Sequence, residues 1–137
     1  MVLNAFCHAN HYVRSNIKIE FFPSECRVTS PGGIYHATLE DLLDGIQTYR
    51  NPRLVNVFDK LGLIENYGTG IPRTLEAYVP FDEKPLFKPS DNSFIVRLPN
   101  LNSPQRKQSE RSPYPVAVYS VDSIELYMVS EGAILPL

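Results

Sequence analysis

The spacing of apolar side chains changes several times along this chain, and each change predicts an element. Val2, Leu3, Phe6 and Cys7 keep a helical spacing, so a helix is expected over residues 2–12, opening without a capping side chain. Ile17, Ile19 and Phe21 then alternate with Lys18 and Glu20, the pattern of a strand with one buried face. Cys26, Val28 and Ser30 continue it beyond Pro23-Ser24-Glu25, which predicts a hairpin. Pro31-Gly32-Gly33 ends the alternation. Thr38, followed three residues later by Asp41, predicts the capped start of a short helix bearing Leu39, Leu42 and Leu43. Asn51-Pro52 predicts another helix, with Asn51 as its cap and Leu54, Val55, Phe58 and Leu61 on one face, stopped at Gly62 in the left-handed region. After Gly68-Thr69-Gly70, the residues Ile71, Leu75 and Tyr78 repeat the helical spacing as far as Pro80. Leu86–Lys88 and Phe94–Leu98, joined by Pro89-Ser90-Asp91-Asn92, read as a second hairpin. The expected order is helix, two strands, three helices, two strands: an α+β fold.

The pattern breaks down at "SPQRKQSERSPYP", where apolar side chains almost vanish and prolines recur. A folded unit over residues 1–102 is therefore expected, followed by a linker over 103–115. Beyond the linker, Ile124, Tyr127 and Met128 predict one helix over residues 121–131, with a glycine turn at Gly132. That helix either docks on the first unit or opens a further one.

Composition narrows the partners. In 137 residues, 13 Lys and Arg face 15 Asp and Glu, a formal charge of -2, so no global attraction to nucleic acid or anionic membrane is expected. The apolar runs are well short of a membrane span and no signal peptide is legible, which predicts a cytoplasmic protein with no membrane partner. Cys7 and Cys26 lack a second C-x-x-C pair or a His cluster, so reduced, buried thiols are expected. His8 and His11 stand three apart but have no third ligand nearby, and Arg50, Arg53 and Arg73 fit salt bridges or apolar cover as well as phosphate. Arg106, Lys107 and Arg111 form a small basic cluster in the linker, diluted by Glu110.

The chemistry to be weighed lies in Gly68-Thr69-Gly70, directly before a helix. Two glycines let a backbone approach a ligand closely, and free N–H groups at a helix start favour an anion. A bare G-x-G is equally a tight helix entry. Longer stretches decide more: "LNAFCHANHY", "VTSPGGI", "LEDLLDGIQTYRNPRLVNVFDKLGLIENYGTGIPR" and "SFIVRLP", in this order, resemble the C-terminal domain of RecG-related DNA helicases and transcriptional regulators, a divergent branch of the GHKL or Bergerat-fold ATPases. The resemblance spans residues 2–99 and implies a two-layer α/β sandwich, a truncated and divergent form of that fold.

The resemblance also implies a site for ATP and Mg2+. Asn4 matches the Asn that ligates Mg2+ in such ATPases, and the carboxylate base would lie four residues earlier, ahead of Met1. Ser30 stands where an Asp accepts a hydrogen bond from the adenine amino group; a hydroxyl is a weaker acceptor and carries no charge. Gly32 and Gly33 follow in the proline-glycine form common to this branch. Gly68, Thr69 and Gly70 occupy the position of the loop that covers the triphosphate. Where the family often has an H-R-D-Y-like run, this chain has His8-Ala9-Asn10-His11 before Tyr12. No G-x-x-x-x-G-K-[ST] run is present, so helicase motor chemistry is not expected here. The reading that follows is a noncatalytic or weakly nucleotide-binding regulatory domain, with DNA engaged only through regions outside this chain. The alternatives are an ATPase whose base lies upstream, and a protein-interaction or dimerisation module that forms a homo-oligomer.

Overall fold

The computed structural model describes residues 1–64, 68–102, 117–121, 127–130 and 133–136. Its first eight elements follow the expected order: α1 (Val2–His8), β1 (Ile17–Phe21), β2 (Glu25–Pro31), α2 (Leu39–Leu43), α3 (Pro52–Lys60), α4 (Gly70–Ala77), β3 (Leu86–Pro89) and β4 (Ser93–Pro99). Three further strands follow, β5 (Ala117–Val121), β6 (Tyr127–Ser130) and β7 (Ala133–Pro136). Among the described residues the strands form one sheet in the order β3-β4-β2-β1-β5-β6-β7, every neighbouring pair antiparallel.

Strand alternation sorts the side chains of this sheet into two faces. Ile19 lies opposite Val28, and Val28 opposite Val96, so the apolar positions of β1, β2 and β4 share one face. Ile17, Val28, Phe87 and Val96 pack there with Ala5 and Ala9 from α1 and its exit and with Ile71 of α4. Helices on one face of an antiparallel sheet make the fold α+β and two-layered. The other face is polar: Glu20 stands opposite Arg27, and Arg27 opposite Arg97. Glu25 there pairs with both Arg27 and Arg97, while Lys18 pairs with Glu20.

Local signals account for the helix ends. Thr38 Oγ1 accepts from the Asp41 N–H at 3.2 Å and the Asp41 carboxylate accepts from the Thr38 N–H at 2.7 Å, the expected reciprocal cap. Gly62 takes φ +67 after α3, as its left-handed stop requires.

Two expectations are corrected. Asn51 does not cap α3; its side chain turns away to α1, and Pro52 opens the helix without an N–H that would need a partner. The helix expected over residues 121–131 is not formed: Val121 ends β5, and Tyr127–Ser130 is β6. A lone helix would have had little to pack against, whereas Ala117–Val121, rich in β-branched and aromatic residues, finds the free edge of β1 and pairs with it from Phe21↔Ala117 to Ile17↔Val121. The sheet thus continues past residue 102. The stretch read as a linker, 103–115, lies outside the described residues, as do the glycine turn at Gly132 and Ile124 of the expected helix. No helix among the described residues is long and apolar enough to cross a membrane.

Candidate functional site

Between the helices and the apolar face of the sheet lies a small inner pocket of about 70 Å3, with room for a few waters. Asn4, Ser30, Gly32, Gly33, Gly68 and Gly70 all line it, against walls built by Ala5, Val28, Ile71, Phe94 and Val96. A wider outer cleft of about 500 Å3 shares Asn4, His8, Tyr49, Gly68 and Gly70 with the pocket and adds Thr69 and Arg73. Thr69 faces the cleft alone; it does not line the inner pocket. No Asp or Glu among the described residues lines either space.

Each position is set by its element. Asn4 projects from α1 towards the start of α4: a Cβ placed on Gly70 would meet Asn4 Oδ1 at 3.4 Å. The Thr69 side chain does not cap α4; in its first turn Gly70 and Ile71 carry N–H groups, Pro72 carries none, and Arg73 N donates to Thr69 O at 2.9 Å. Ser30, 4% exposed, is the last but one residue of β2 and lines the pocket, and its hydroxyl donates weakly to Phe94 O at 3.4 Å. With its proton turned to Phe94, the oxygen is left to accept from the pocket side.

The glycines differ in what they do. Gly33 has no room for a side chain, since a Cβ would fall 2.3 Å from Ser90 O, and on Gly32 it would fall 2.7 Å from Asn10 Cβ. Their N–H groups are taken by Asn92 O at 2.8 Å and Asp91 O at 3.2 Å. What this turn offers the pocket is a bare wall, not backbone donors. Gly68, at φ +76, lies against the side chain of Gln47, where a Cβ would fall 2.1 Å from Cγ.

Several lining residues went unmarked in the sequence. Ile46, Gln47, Thr48 and Tyr49 come from the connection between α2 and α3, which has neither helical nor strand period to draw attention. His8, at the end of α1, lines both spaces; burial and then the charge of Arg50 push its pKa down, so the ring is neutral at pH 7. His11, by contrast, is exposed and its Nε2 is 3.0 Å from Phe6 O. No group of three or more metal-ligating side chains occurs among the described residues. Cys7 is buried and Cys26 half-buried, both as free thiols.

These features fit a nucleotide in kind: apolar walls for a flat base, a neutral acceptor at the floor, and an amide oxygen beside the first turn of α4 for phosphate and its metal. The inner pocket as it stands is smaller than a nucleotide, and the outer cleft adjoins it through Asn4, Gly68 and Gly70. A family model described as "Putative ATP-dependent DNA helicase recG C-terminal" matches residues 14–98, more than half of the chain; the match takes in Ser30 and Gly68–Gly70 and begins after α1, leaving Asn4 outside it. No curated protein and no solved structure matches the chain. A continuous match from before β1 to the end of β4, on a two-layer α+β fold with this pocket in its core, places the chain in the family of RecG C-terminal, ATPase-like domains.

Proposed function

We propose that this domain is a regulatory unit that holds ATP or ADP weakly, with Mg2+, and does not turn it over. The observation that carries the reading is the pocket itself, which gathers Asn4, Ser30, Gly32, Gly33, Gly68 and Gly70 from distant parts of the chain yet is lined by no carboxylate among the described residues. In this reading the base lies against Val28, Phe94 and Val96, and Ser30 accepts from its amino group. Asn4 offers its amide oxygen to Mg2+, and the start of α4 faces the phosphates. Bound Mg2+ supplies neutralisation of phosphate charge. A water near the phosphates finds no carboxylate to take its proton among the described lining, which supports binding without hydrolysis. Ser30 in place of a charged acceptor forgoes about half the strength of that hydrogen bond, so binding about tenfold weaker than with a charged acceptor is expected.

An isotope-labelled NMR titration with Mg-ATP, Mg-ADP and a short DNA duplex tests this, together with an assay of phosphate release. Shifts should centre on Asn4, Gly32, Gly33 and Gly68–Gly70, with no phosphate released above the spontaneous rate. Shifts confined to residues 103–115, or turnover by this chain, would overturn the reading.

A further inference from the structure

Arg50 and Asn51 are adjacent in sequence and reach in different directions. Asn51 Nδ2 lies 2.8 Å from Ala9 O and 2.9 Å from Cys7 O, carbonyls that the end of α1 leaves without intrahelical donors. Ala9 is fully buried, so its carbonyl has no water to turn to. Arg50 Nη2 donates to Gly33 O at 2.8 Å, and its guanidinium carbon stands 5.0 Å from the centre of the Tyr35 ring. Its Nε is buried without a partner among the described residues, and there the guanidinium is held by the turn and the ring. The same two elements meet once more where Asn10 N donates to Pro31 O at 2.8 Å.

We infer that Arg50 and Asn51 form a clasp that fixes the end of α1 and the Pro31–Gly33 turn, two walls of the pocket, at one spacing, and so act as positioning residues for its ligand. The ligand part rests on the nucleotide reading above; the clasp itself does not. Physically, two adjacent side chains satisfy carbonyls of both walls, a buried one at Ala9 and a part-buried one at Gly33. If either side chain is lost, a carbonyl of one wall loses its donor and the two walls can shift independently. Lys at position 50 keeps one donor for Gly33 O but loses the guanidinium over the Tyr35 ring, and is expected to restore part of the function.

The test uses the whole chain with Arg50→Ala, Arg50→Lys and Asn51→Asp, and Glu25→Gln on the opposite sheet face as a control for general destabilisation. Two readouts need no nucleotide: amide hydrogen exchange at Gly32 and Gly33, and the NMR titration of His8. Arg50→Ala should speed exchange at both glycines about tenfold more than the control does and raise the His8 pKa, with Arg50→Lys intermediate in exchange. Asn51→Asp should speed exchange in the last turn of α1. Mg-ADP affinity should fall about tenfold in Arg50→Ala and recover in part in Arg50→Lys. Unchanged exchange at Gly32 and Gly33 in Arg50→Ala would overturn the inference. If the local readouts respond while the unaltered chain binds no nucleotide, the clasp stands and the nucleotide reading falls.

Discussion

Arg97 grips the Glu25 carboxylate on the polar face of the sheet: Nε lies 3.0 and 2.9 Å from its two oxygens, and Nη2 lies 2.6 Å from Oε2. Arg27 Nη2 adds a bond of 2.9 Å to Oε1, so one carboxylate ties β2 to β4 and is shared between two cations. Burial pushes the Glu25 pKa up, but the hydrogen bonds from Arg97 and Arg27 outweigh it and hold the group below its ordinary 4.5.

The first prediction follows from that sign. A carboxylate depressed in the folded state binds its proton more readily when unfolded. Its contribution is therefore whole above about pH 4.5 and is lost as pH falls through the lower folded value. Glu25→Gln should cost about 1–2 kcal/mol at pH 7, because two part-exposed guanidinium groups lose their shared charge. Below pH 4.5 the gap between the variant and the parent should narrow. Thermal unfolding across pH 3–7 measures both; parallel curves would refute the assignment.

The two glycines of Gly68-Thr69-Gly70 should answer differently to alanine. At Gly68 a Cβ meets Gln47 at 2.1 Å and the backbone is at φ +76, so Gly68→Ala should destabilise by about 2 kcal/mol or more. At Gly70 the nearest atom is Asn4 Oδ1 at 3.4 Å, an ordinary contact, and the residue opens a helix. Gly70→Ala should leave stability unchanged or raise it by about 0.4–1 kcal/mol. Denaturant unfolding of both variants checks this, and equal losses would contradict it.

That difference marks what a sequence can and cannot display. Strand alternation at Ile17, Ile19 and Val28, and the reciprocal cap of Thr38 and Asp41, are local patterns whose physics acts within a few residues, and both are realised. The partners of Gly33, Gly68 and Asn51 are Ser90, Gln47 and Ala9, set by chain folding over long separations, so the same residues read as ligand loop or helix cap until the fold is known. The tail failed for another reason. Ile124, Tyr127 and Met128 satisfy a helical spacing as well as Tyr127 and Val129 satisfy an alternating one, and only the vacant edge of β1 decides in favour of strands.

Ser30 offers a trade between stability and affinity. Ser30→Asp places a carboxylate at a position 4% exposed and beside the Phe94 carbonyl, with no Lys or Arg among the described residues of the pocket lining to pair with it. Thermal stability should fall by several degrees. If the pocket takes adenine nucleotides, the charged acceptor should strengthen Mg-ADP binding about tenfold and leave Mg-GDP unimproved, since guanine presents an oxygen where adenine presents its amino group. Calorimetric titration of both nucleotides reads this directly. A loss of stability without any gain for the adenine ligand would show that Ser30 does not face the base.

The last prediction concerns the strand that the helical reading missed. β5 pairs with β1 at five positions, so a chain ending at Asn102 loses a ladder of backbone hydrogen bonds and leaves β1 as an edge between solvent and β2. Ile17 is 3% exposed and sits opposite Val121, and an uncovered strand with an apolar face is also a template for pairing with other chains. The shortened chain should therefore unfold several degrees below the full one and should associate in a concentration-dependent way that the full chain does not show. Calorimetry and sedimentation at two concentrations separate the two effects. An unchanged melting temperature together with a monomeric shortened chain would mean that β5 adds nothing to the sheet it completes.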